Sequence, residues 1–137
     1  MSGVVAGIGD RDDAYDVLHF AMREAAARAM PLTVLHVSED GGPYDSRLLS
    51  EQVAAVEADW TTDDEVAVPT VVVIASGDPV AELLRAARGA QLLVLGVEHD
   101  RCASEIRRSV AAECIQRSTC PVAVVRTAAS EPGRTRR

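Results

Sequence analysis

The sequence predicts an α/β domain in which a five-stranded parallel sheet lies between two layers of helices. Three observations predict it. Five short runs rich in Val, Ile and Leu are nearly continuous rather than alternating, the pattern of strands covered on both faces. Segments with helical spacing separate these runs, so the order reads β-α-β-α-β-α-β-α-β, and such alternation implies parallel strands joined by right-handed crossovers. The chain has 137 residues, enough for one domain with a full hydrophobic core.

Each element has its own signal. Residues 3–8 form the first apolar run. Residues 13–29 then place Val17, Phe20, Ala21, Ala25 and Ala29 three and four apart, one apolar stripe that Pro31 stops. Residues 32–37 form the second strand. After the polar stretch 38–45, residues 46–58 repeat the helical pattern through Leu49, Val53 and Val56, with Ser46 as candidate N-cap. The connection 61–69 leads into a third strand at 70–75. Asp78 followed by Pro79 is an N-cap with proline at the first helical position, opening a helix over 78–88 that ends at Gly89. Residues 91–95 make the fourth strand and 96–109 a loop. The last helix spans 109–117 with Val110, Cys114 and Ile115 facing inward, and the last strand spans 122–125. Residues 127–137 show no apolar period and are expected to form a disordered basic tail after a domain spanning 1–126.

Composition excludes several classes of function. The formal net charge is −7, and the tail (Glu131 against Arg134, Arg136 and Arg137) contributes +2, so residues 1–126 sum to −9. An acidic body repels nucleic acid and anionic membrane, and neither is an expected partner. Aromatic residues are only 3% of the chain, which leaves no stacking platform for single strands. Cys102, Cys114 and Cys120 fit neither a zinc spacing nor a disulfide framework, as expected of reduced thiols in the cytoplasm. The start, MSGVVAGIGD, lacks a basic region followed by a long apolar stretch, and no run approaches the roughly 18 apolar residues of a membrane span. No G-x-S-x-G elbow, Cys/His pair or Walker lysine is present, and the chain contains no lysine at all, so no enzymatic activity is expected.

Three pieces of the chain carry a resemblance. AGIGDRDDAYDVLHFAMREA, PLTVLHV and GDPVAELLRAARGAQLLVLG followed by SVAAECIQRSTCPVAVVR stand in an order and spacing that resemble the universal stress protein family over residues 3–126. The resemblance implies an adenine nucleotide α-hydrolase-like fold with strand order 3-2-1-4-5. It also implies a homodimer meeting through the edge strand from Val122 to Val125, and a stress-response or regulatory role exerted through dimerisation or a protein partner.

In the ATP-binding branch of that family, glycines and a hydroxyl residue follow the fourth strand as G-x2-G-x9-G-[S/T]. Glycines there let backbone N–H groups at a helix N-terminus approach phosphates. Gly96 matches the first glycine and Ser109 the hydroxyl, but His99 and Arg108 stand at the other two glycines, and the loop is one residue short. At the adenine end the family's Asp falls on Gly9, with Asp10 one residue later, while Val37 matches the residue that packs near adenine and ribose. The nucleotide-binding candidates are therefore Ile8, Gly9, Asp10, Val37, Gly96, Arg108, Ser109 and Val110. The expectation is weak or absent ATP binding; the alternative is a sensor that takes ATP or AMP, with Mg2+, in the altered loop, and a slow nucleotide hydrolase is the weakest reading because the phosphate loop is the altered part.

The remaining polar residues have ordinary readings. Arg101, Arg107 and Arg108 pair with Glu98, Asp100 and Glu105 on a solvated surface, against an alternative in which Arg107 or Arg108 grips an anion beside Ser109. His99 is read as solvated, His19 as exposed and His36 as a structural residue of its strand. Asp12 and Asp13 suit the first turn of a helix better than a metal site. Cys102, beside Arg101, is the thiol best placed for redox sensing.

Overall fold

The computed structural model describes residues 3–9, 14–38, 46–60, 68–98 and 109–127. Along them run β1 Val4–Ile8, α1 Ala14–Arg28, β2 Leu32–Ser38, α2 Ser46–Trp60, β3 Thr70–Ser76, α3 Pro79–Ala87, β4 Leu92–Glu98, α4 Val110–Arg117 and β5 Val122–Thr127. The strands form one sheet in the order β3-β2-β1-β4-β5, and every neighbouring pair is parallel. The architecture matches the expectation.

Side chains two apart share a face of the sheet, and that period sorts the core into two halves. Val4, Ala6 and Ile8 of β1 join Leu32, Val34, Leu92 and Val94 under α1 and α2. Val5, Leu35, Leu93, Leu95 and Val97 point the other way, onto Val80, Leu83, Ala86 and Ala87 of α3 and Ala111 and Cys114 of α4. All five residues of β1 are buried, as suits the central strand.

Two helices differ from their predicted faces. In α1 the buried stripe is Ala14, Val17, Leu18, Ala21, Met22 and Ala25; Phe20 lies on its flank, 37% exposed. This rotation buries two long aliphatic side chains, Leu18 and Met22, in place of one ring and Ala29. In α4, Val110 and Ile115 are exposed, and Ala111 with Cys114 forms the inward face. With only two buried positions three apart, α4 rests on the sheet by a narrow strip.

Helix ends follow local chemistry. The Asp78 carboxylate accepts from Ala81 N at 2.9 Å, with Pro79 opening α3. At the end of α1, Met30 N donates to Ala25 O (2.9 Å) and Ala29 N to Ala26 O (3.1 Å) while Ala29 adopts φ 56°. That pair of bonds is the Schellman arrangement, built here on an alanine in the left-handed region. The helix therefore ends through its own cap before Pro31.

Two glycines are dictated by space. A Cβ on Gly7 would lie 2.7 Å from both Leu83 Cδ2 and Leu95 Cδ2, so α3 packs directly on the backbone of β1. Gly3 has φ +99°, and a Cβ there would lie 2.5 Å from the Pro31 carbonyl oxygen that receives the Val4 N–H. β4 runs on to Glu98 and β5 to Thr127, beyond their predicted ends. Residues 128–137, most of the expected tail, lie outside the described residues.

Candidate functional site

Order in this sheet reverses between β1 and β4: chain direction steps outward through β2 and β3 on one side and through β5 on the other. Such a switch point leaves a crevice at the carboxyl ends of the strands, because the connections leave in opposite directions. The β1–β4 ladder reflects this. It runs through Val4↔Leu92, Val5↔Leu93 and Ala6↔Val94 and stops there, although the strands continue to Ile8 and Glu98.

Six of the eight candidate residues are described, at the carboxyl ends of β1, β2 and β4 and at the start of α4. Ile8 ends β1 with its side chain buried against α1, and Gly9 follows it, half-buried. Val37 is the penultimate residue of β2, on the face that carries α3 and α4. Gly96 was expected to open a loop but sits inside β4, paired with Val125 of β5, because the parallel ladder holds the chain extended as far as Glu98. Ser109 caps α4: its Oγ accepts from Ala112 N at 3.1 Å and its carbonyl from Glu113 N at 3.2 Å. Val110 starts that helix and is exposed, contrary to the expectation that it faces the core. Asp10 and Arg108 lie outside the described residues, as do His99, Arg101, Cys102, Arg107, Asp12 and Asp13.

Sequence reasoning placed His36 in a structural role without finding its partner. The ring is 1% exposed, and Nδ1 lies 2.7 Å from the Ile8 carbonyl oxygen. A carbonyl only accepts, so Nδ1 carries the proton and donates, fixing the tautomer. His36 thereby ties the end of β2 to the end of β1, one residue before Gly9. One step further, Gly77 N donates to Ser38 O at 3.0 Å and joins the turn before α3 to the same rim. The β1–β2–β3 side of the crevice is thus braced by backbone and imidazole hydrogen bonds.

Among the described residues two titratable groups depart clearly from their ordinary values. Burial, then Glu113, pushes the Cys114 thiol up to about 11 against a partial offset from Arg117, so it stays protonated at neutral pH. Tyr15 donates to Asp59 Oδ2 at 2.7 Å, which ties α1 to α2 and raises the phenol above its ordinary value. Among the described residues no group of three or more His, Cys, Asp or Glu is arranged to hold a metal ion. Nor is any helix among them long and apolar enough to cross a membrane.

Comparison with known proteins agrees with this geometry. The model of the universal stress protein family matches residues 1–126. Universal stress protein Rv2624c of Mycobacterium tuberculosis is 32% identical over 96% of the chain. The alignment covers 51% of that relative, so the chain spans about half its length. A universal stress protein solved in complex with cAMP superposes with a TM-score of 0.73 at 25% identity, covering 92% of this chain and 97% of that one. The universal stress protein of Archaeoglobus fulgidus in complex with dAMP has the same fold, with a TM-score of 0.66 at 20% identity over 92% and 98% of the two chains.

Proposed function

The chain belongs to the universal stress protein family, and from that premise we propose that it is a non-enzymatic, cytoplasmic regulator of stress responses that acts as a homodimer and binds ATP weakly or not at all. The observation that carries this reading is the altered glycine motif of the 96–109 segment. His99 and Arg108 stand where glycines are needed, and the Ser109 oxygen caps its own helix. The motif uses glycines at those positions so that backbone N–H groups can receive a triphosphate, and this sequence lacks two of them.

The dimer reading rests on β5. It is an edge strand whose Val124 is 41% exposed, and an apolar edge of this kind invites pairing with a second copy. Val124→Asp places like charges near each other across a two-fold axis. Sedimentation equilibrium at micromolar concentration is expected to give a dimer for the wild type and a monomer for the variant. A wild-type monomer contradicts the reading.

A second reading has its own support. The solved relative that holds cAMP carries a ligand with one phosphate, and at the adenosine end of the motif Val37 is kept while the family's Asp falls on Gly9, with Asp10 next to it. An AMP-type ligand asks far less of the altered loop than ATP does. Titration with cAMP and with AMP, followed through the amide resonances of Gly9, Val37 and Gly96, tests it; unchanged resonances at millimolar ligand remove it.

A further inference from the structure

Along α3 and at the end of α4 that leads into β5, a groove of about 320 Å³ is lined by Ala81, Leu84, Arg85, Arg88, Arg117 and Thr119. That volume lies at the lower end of the range of small-molecule sites. Four of the six residues fall three, four and seven apart along α3, so one face of one helix supplies a wall. The end of α4 supplies the other. Three guanidinium groups and a hydroxyl thus line one groove in a protein of net charge −7.

We propose that this groove is a binding site for a small diphosphate-bearing molecule, separate from the crevice between β1 and β4. Arginines in the last turn of a helix offset its dipole, which accounts for Arg85 and Arg117 each on its own helix. It does not account for their facing a common groove with Arg88 and Thr119. The carboxylates they meet are poor competitors. Arg85 contacts Glu82 at 3.2 Å and Arg117 contacts Glu113 at 3.4 Å, each through Nη1 alone, and both arginine side chains are more than half exposed. Exposed pairs of this geometry contribute little. Phosphate oxygens accept shorter, bidentate bonds from guanidinium, so a diphosphate exchanges these contacts for stronger ones. Arg85 and Arg117, each held through Nη1 by one carboxylate, supply two guanidinium groups for two phosphates. Ala81 and Leu84 give an organic substituent an apolar wall.

The test is titration of the full chain with inorganic pyrophosphate at low salt, followed by backbone amide resonances and by calorimetry. The expected result is saturable binding with shifts at Arg85, Arg88, Arg117 and Thr119 and none at Gly9, Gly96 or Ser109. Arg88→Gln combined with Arg117→Gln should weaken it by about tenfold or more, the scale of losing charge-assisted hydrogen bonds. The two side chains are exposed and an unchanged melting curve confirms folding of the variant. Absence of binding at millimolar pyrophosphate, shifts confined to Gly9, Gly96 and Ser109, or unchanged affinity in the folded variant each overturns the proposal.

Discussion

Replacing Gly7 by alanine probes how closely α3 rides on the central strand. The added methyl would meet Leu83 Cδ2 and Leu95 Cδ2, each at 2.7 Å, about 1 Å inside the optimal carbon–carbon separation. Both leucines are buried, so neither methyl can swing into solvent. Overpacking of this kind costs about 1–3 kcal/mol, and alanine recovers about 0.4–1 kcal/mol by restricting the unfolded chain. The atoms in the way are ends of flexible side chains rather than backbone, which keeps the cost in the lower part of the range. The expected net loss is about 0.5–1 kcal/mol, read from the midpoint of equilibrium urea unfolding at unchanged slope. Because the collision is shared, Gly7→Ala and Leu83→Ala should not add: the double variant should be more stable than the sum of the two losses predicts. A Gly7→Ala protein as stable as the wild type, or strict additivity in the cycle, refutes the packing argument.

Ala29→Gly should stabilise the protein by about 0.5–1 kcal/mol, since it relieves the left-handed strain of an L-residue at an exposed cap at some cost in unfolded-state entropy; a lower melting temperature contradicts this. Cys114 gives a pH prediction with a defined sign. Its folded pKa of about 11 exceeds the ordinary 9.0, so above about pH 9 the unfolded chain loses the thiol proton first and stability falls until about pH 11. Cys114→Ala should show a shallower fall over that window, and equal slopes would contradict the assignment.

The legible parts of this fold were those where local chemistry and burial agree. Continuous Val, Ile and Leu runs announced buried parallel strands, and Asp78-Pro79 announced the start of α3 to the residue. Faces were harder wherever candidate side chains compete. Phe20 and Leu18 both lie near the stripe of α1, and the choice depends on what α1 packs against, which a single helix does not encode. The same holds for Val110 and Ile115 in α4. Strand ends were underestimated because Gly96 reads as a breaker, whereas pairing with Val125 in the ladder holds it extended. The imidazole tie from His36 to Ile8 joins residues 28 apart, and only the register of β2 on β1 places them side by side.

Calorimetric titration of the purified chain with ATP and magnesium tests the central claim most directly. The account predicts no saturable heat at micromolar nucleotide, because residues 99 and 108 carry side chains where a triphosphate needs bare backbone. A one-to-one micromolar isotherm would contradict it and would mean that the arginines of the 96–109 segment, with Ser109, rebuild the site by another route.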